Sequence, residues 1–115
     1  MTPQEIFNTA YTGVRAQGRQ SLNKKGDCRY RGPDGLKCAV GFMIDDATAE
    51  KWEGIAISSI NKFGTPPDWI IENIDLLIMI QDAHDREVDD EEDFIEEFTQ
   101  RMENLAQHYG LEIPA

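Results

Sequence analysis

A chain of 115 residues with 40% hydrophobic side chains is long enough to enclose one modest core and too apolar for a disordered segment. Two cysteines exclude a disulfide framework, no apolar run approaches the ~18 residues of a membrane helix, and the N-terminus lacks a secretory signal pattern; the expectation is one soluble, cytoplasmic domain spanning residues 1–115. The net charge of −11 is unevenly spread, with +4 over residues 1–41 and −15 over residues 42–115, so nucleic acid and anionic membrane are repelled and a basic protein surface is the expected partner, solvation of an acidic face being the plain alternative.

Thr2-Pro3-Gln4-Glu5 reads as a capping box with proline at the first helical position. Ile6, Phe7, Ala10, Tyr11 and Val14 follow at helical spacing, and Gly18 is suited to close the helix, which predicts a first helix from about Pro3 to about Gln17. Arg15, Arg19, Lys24 and Lys25 form a loose basic cluster behind it, read as a solvated face with an anion site as the alternative. Gly32-Pro33-Asp34-Gly35 is a turn: proline presets φ, aspartate bonds its own backbone and glycine accepts a positive φ. Cys28 and Cys38 flank this turn, and pairing of Cys28–Tyr30 with Leu36–Cys38 in a short hairpin would bring the thiols together. Such a hairpin must pack on helices to persist. Gly41 permits close backbone approach, and Phe42, Met43 and Ile44 return to the core.

Asp45-Asp46 caps a short helix running to about Trp52 and ended by Glu53-Gly54. Ile57, Ile60 and Phe63 mark another that stops at Gly64. A central helix is expected over residues 67–85, capped by Thr65 with Asp68 in the capping-box position. It carries Ile70, Ile74, Leu77, Ile78, Gln81 and His84 at helical spacing, and Leu76, Met79 and Ile80 widen the stripe, which implies burial nearly all round. The acidic run from Asp85 to Asp93 opens a last helix, where negative charge suits the helix dipole. Its stripe is Phe94, Ile95, Phe98, Met102, Leu105, Ala106 and Tyr109, closed by Gly110-Leu111. The fold class expected is mainly α: a compact bundle of about five helices, with a small turn or hairpin at residues 27–38 packed on the first and central helices.

The segment Cys28-Arg29-Tyr30-Arg31-Gly32-Pro33-Asp34-Gly35-Leu36-Lys37-Cys38-Ala39-Val40-Gly41 resembles small uncharacterised proteins of bacteriophages and bacterial mobile elements. Glu53-Gly54, the stretch Leu77-Ile78-Met79-Ile80-Gln81-Asp82-Ala83-His84-Asp85 and Tyr109-Gly110-Leu111 continue that resemblance along most of the chain. It implies a phage-type context and no particular reaction.

Three constellations carry chemistry. Cys38 near His84, with Asp85 orienting the imidazole, would make a thiolate nucleophile; the alternative is a packed thiol and a satisfied histidine. Cys28, Cys38 and His84, with Asp85 or Asp45, supply enough ligands for zinc, although the ten-residue gap between the cysteines is not a zinc-knuckle spacing. The third is the acidic set, Asp82, Asp85, Glu87, Asp89, Asp90, Glu91, Glu92, Asp93, Glu96 and Glu97, which suits a basic protein partner or a mimic of the DNA backbone and lacks an EF-hand pattern. The protein-binding candidates within it are Asp89, Asp90, Glu91, Glu92, Asp93, Glu96 and Glu97. Arg29, Arg31 and Lys37 on the cysteine turn are the residual anion-binding candidates. The function expected is a phage-type accessory protein that binds a host or phage protein without a cofactor, with a Cys/His enzyme or a structural zinc module as the rival.

Overall fold

The first helix starts and stops where its capping chemistry places it. In a computed structural model that describes residues 1–21, 29–63, 65–86, 88 and 90–114, with the backbone alone for residue 63, helix α1 spans Pro3–Gln17. The Thr2 hydroxyl accepts from the Glu5 N–H at 3.1 Å and the Glu5 carboxylate accepts from the Thr2 N–H at 2.9 Å, so two otherwise orphaned donors are satisfied. Gly18 ends the helix at φ 79°, a conformation that only glycine takes without cost. Ile6, Phe7, Ala10, Tyr11 and Val14 are buried along one stripe. Arg15 lies 4.8 Å from the centre of the Tyr11 ring; Lys24 and Lys25 of the basic cluster lie outside the described residues.

Helix α2, Asp46–Trp52, is capped by the Asp45 carboxylate on the Thr48 N–H at 2.7 Å. A 3-10 turn at Ile57–Ser59 leads into α3, Ile60–Phe63. The closing helix α6 spans Phe94–Tyr109 behind a 3-10 turn at Glu91–Asp93. Phe94, Phe98, Met102, Leu105 and Ala106 are buried, Gly110 takes φ 68°, and the Leu111 N–H returns to the Ala106 carbonyl at 2.8 Å. That is the glycine cap with a hydrophobic residue behind it that Gly110-Leu111 predicts.

The central helix differs from expectation. It is two helices, α4 at Asp68–Glu72 and α5 at Ile74–Asp85, joined at Asn73. In a continuous helix the Asn73 N–H would bond the Trp69 carbonyl. The Asn73 side-chain amide takes that carbonyl instead at 2.7 Å, and the backbone N–H shifts to Ile70 at 3.2 Å. Asparagine competes with the helix in this way wherever its short amide reaches the preceding turn. The N-cap is Pro67, with no side-chain cap, so neither Thr65 nor a capping box starts α4. Burial is also less than all-round, since Ile71 is 52% and Met79 41% exposed.

The mainly α bundle is as expected, with six α-helices among the described residues. Helices α1, α5 and α6 pack pairwise around fully buried Phe7, Leu77, Ile80, Phe94 and Phe98, each worth about 1.5–3 kcal/mol of apolar burial. Residues 33–35 form a turn rather than the tip of a hairpin, and no strand occurs among the described residues. Arg29 does not pair with Lys37; its N–H bonds the Ser21 carbonyl at 3.1 Å. Cys28, the other half of the predicted thiol pair, lies outside the described residues. Asp34 and Gly35 both take positive φ, 60° and 75°.

The turn is seated by close approach. A methyl group at Gly41 would stand 2.5 Å from the Tyr30 carbonyl oxygen, a backbone atom with little room to retreat. Gly41→Ala is therefore expected to lower stability by about 1–3 kcal/mol, read as a drop in thermal midpoint. An unchanged midpoint would show that the two segments are not pressed together there.

Candidate functional site

The turn segment and α5 meet through a buried carboxamide. Gln81 sits on the apolar stripe of α5 and is nearly fully buried. Its Oε1 accepts from the Val40 N–H at 3.1 Å, and its Nε2 donates to Asp85 Oδ1 at 2.6 Å. The same Asp85 oxygen faces His84 Nδ1 at 2.9 Å. His84 is fully buried, and the Ser21 N–H donates to its Nε2 at 3.2 Å. An imidazole that accepts at Nε2 donates from Nδ1, so its geometry is that of the neutral Nδ1–H tautomer held by Asp85. Its ring meets the Phe94 ring edge to face, centroids 5.7 Å apart. Gln20 Nε2 completes the arrangement by donating to the carbonyls of His84 at 2.7 Å and Arg86 at 3.1 Å, which are orphaned at the end of α5.

Both ends of α2 are tied to the turn. The Glu53 carboxylate accepts from the N–H groups of Tyr30 at 3.0 Å and Arg31 at 3.2 Å. The Tyr30 hydroxyl donates to the Ile55 carbonyl at 2.6 Å. Burial foremost, then the charges of Cys38, Glu53 and Asp85, holds that phenol above its ordinary range. At the other end Arg31 donates to Asp46 at 2.8 Å and to the carbonyls of Gly41 and Ile44, each at 2.8 Å.

The predicted site residues therefore divide. Cys38, Gln81 and Asp85 line one cleft, but no Cys38–His84 hydrogen bond is present among the described residues, because both imidazole nitrogens are engaged elsewhere. Burial raises the Cys38 thiol to about 12, with Asp85 and Glu53 adding to the rise against hydrogen bonds from Gly41 and Gln81. A thiol there is a small hydrophobe rather than a nucleophile. Among the described residues no three His, Cys, Asp or Glu side chains are grouped to hold a metal. Asp45 is occupied in capping α2, and Cys28 lies outside the described residues. Arg29, Arg31 and Lys37 do not assemble an anion site: Arg31 is committed to Asp46 and backbone carbonyls, Arg29 stands 3.7 Å from Glu53, and the Lys37 ammonium lies 5.8 Å from the centre of the Phe42 ring. Asp90, Glu91, Glu92, Asp93, Glu96 and Glu97 are all exposed; Glu87 and Asp89 lie outside the described residues.

Sequence reasoning missed the roles of Gln20, Ser21, Arg31 and Glu53. One signal was available, since Gln81 occupies an apolar-stripe position where an uncharged amide needs buried partners. Compared with protein-family models, curated proteins and solved structures, the chain finds no match.

Gln81→Leu would leave the Val40 N–H without an acceptor and remove one of the two donors to Asp85, leaving only His84 Nδ1. The expected loss is on the order of 1–3 kcal/mol, measured by denaturant unfolding; a loss near zero would show that water replaces the amide. In Cys28→Ser protein, Cys38 is expected to react with a disulfide probe at pH 8 about 10³-fold more slowly than a free cysteine and to accelerate only as pH approaches 12. A rate matching free cysteine would overturn the burial argument.

Proposed function

We propose that this chain is a phage-type accessory protein that works by binding a protein with a basic surface, as an inhibitor or a stand-in for the DNA phosphate backbone. One observation carries the reading. Asp90, Glu91, Glu92, Asp93 and Glu96 are exposed and stand in no ion pair among the described residues. Glu97 alone of this stretch approaches a cation, Arg101, at 3.9 Å. The apolar stripe of α6 is spent on the core through Phe94, Phe98 and Met102, so these carboxylates are not needed to fold the helix. Unpaired charges of one sign steer an oppositely charged partner and speed encounter. The engaged His84 nitrogens and the high-pKa Cys38 thiol support binding over nucleophilic chemistry.

The variant Asp90→Asn, Glu91→Gln, Glu92→Gln, Glu96→Gln tests this. Asp90 accepts from the Glu92 N–H at 3.0 Å, and the asparagine that replaces it keeps a side-chain oxygen for that cap, so stability, read from the thermal midpoint, is expected to hold within about 1 kcal/mol. Capture of a basic host protein is expected to be roughly 10-fold slower and to lose most of its salt dependence, since exposed charge is screened over about 8–10 Å. Equal capture by both proteins at low and high salt would reduce the carboxylates to a solvated face.

A further inference from the structure

A cleft of about 960 Å³ opens beside the Gln81 node, near the top of the ~300–1,000 Å³ range of small-ligand sites. One wall is α5, through Ile78, Asp82 and Asp85; the other is the stretch from Glu53 to Ser58, with Cys38 and Tyr30 between them. Ile55, Ile57 and Ile78 give it apolar surface. Its charged groups are three carboxylates, Glu53, Asp82 and Asp85, against one cation, Arg29. Glu53 answers Arg29 at 3.7 Å and Asp82 answers Arg86 at 2.9 Å, which leaves Asp85 as the cleft's carboxylate without a Lys or Arg partner among the described residues, and Arg31 has no spare N–H geometry for an anion because it is spent on Asp46 and three carbonyls.

Asp85 is the group best placed to act. Its Oδ1 is held by Gln81 at 2.6 Å and His84 at 2.9 Å, and its Oδ2 has no hydrogen-bond partner among the described residues. The carboxylate is thus oriented before any ligand arrives, while its side chain stays 39% exposed. A pre-oriented acceptor loses little freedom on binding, and a charge-assisted bond to guanidinium or ammonium is about twice as strong as a neutral one. We infer that this cleft binds a guanidinium or ammonium group on an apolar stem, with Asp85 as its ion partner and Ile57 and Ile78 against the stem. The source is an arginine or lysine side chain of the basic protein partner, and to that extent the inference rests on the function proposed above. A free alkylguanidine shares the chemistry and is separated by the experiment.

The test uses the full chain and nuclear magnetic resonance of the Ile57 and Ile78 methyl groups and the Gln81 side-chain amide. The probes are N-acetyl-arginine methylamide, its uncharged citrulline counterpart, and n-butylguanidinium. Both cationic probes are expected to give saturable shifts at these three residues. Binding should weaken at least tenfold with citrulline and with Asp85→Asn, whose side-chain oxygen can still accept from Gln81 and His84. Ser58→Trp, an exposed cleft position on the Glu53–Ser58 wall, fills the space while leaving the Asp85 carboxylate in the chain and should also abolish binding, so the test stands even if Asp85→Asn unfolds. Shifts with n-butylguanidinium alone would assign the cleft to a free guanidine rather than a partner's side chain. Absence of saturable shifts with every probe, or equal binding of arginine and citrulline, would overturn the inference. The four-site acidic variant separates the two readings, since it should keep probe binding in the cleft while losing partner capture. Absence of probe binding to the native chain, with its salt-dependent capture intact, would sink the cleft alone.

Discussion

The described residues between α1 and α2, 18–21 and 29–45, have to satisfy their backbone away from long helices and without a strand among them, and side chains do much of that work. Each buried N–H or C=O left unpaired would cost about 1–3 kcal/mol. Gln17 pairs with Lys37 in both directions, accepting from its N–H at 2.8 Å and donating to its carbonyl at 2.7 Å, much as a neighbouring strand would. Gln4 does the same for Glu112 at the far end of α1, at 2.9 Å each way. Gln20 closes the carbonyl end of α5, Gln81 receives Val40, and Glu53 receives Tyr30 and Arg31. A carboxamide suits this role because it carries a donor and an acceptor side by side, as the peptide group does.

This explains why the residues that look chemically reactive are structural. The stretch around Cys38 and the stretch around His84 do converge, but what joins them is Gln81, not a thiol–imidazole contact. His84 is placed to receive the Ser21 N–H and to pack on Phe94, so it anchors the chain just after α1 to the end of α5. Asp85 is the exception within the node. Two donors hold its Oδ1 while the side chain stays 39% exposed, so a scaffold built for backbone satisfaction also presents an oriented carboxylate.

The helices that close on local signals were legible in the sequence. Thr2 with Glu5, Asp45 with Thr48, and Gly110 with Leu111 act within a few residues of themselves, and α1, α2 and α6 begin and end accordingly. What could not be read depends on partners far along the chain. The break at Asn73 turns on whether an asparagine amide outcompetes its own N–H for Trp69, and both outcomes have the same hydrophobic pattern. The hairpin between Cys28 and Cys38 was a natural reading of a symmetric turn. It fails at Arg29, whose N–H finds Ser21 instead of Lys37, because Ser21 is held in place by His84, far along the chain. Arg31 looked like a free cation because its three carbonyl partners carry no signature in a sequence.

The division of charge follows from the same economy of polar groups. The buried and half-buried polar residues are mostly uncharged; the charged ones among the described residues are Arg31, Lys37, Glu53 and Arg101, of which Arg31 and Glu53 are each held by several hydrogen bonds. The acids beyond Asp85 had no such openings to fill. The core face of α6 is occupied by Phe94, Phe98, Met102 and Leu105, so Glu91, Glu92, Glu96 and their neighbours project into solvent. Their mutual repulsion is eased where they sit at the helix N-terminus, whose dipole favours negative charge. The consequence is a physical separation of tasks: the interior node sets the fold and the orientation of Asp85, while the carboxylates from Asp90 to Glu96 set the field outside it. Charge on that outer face can therefore change without disturbing the node, whereas almost any change at Gln81 or His84 reaches the chain on both sides of it.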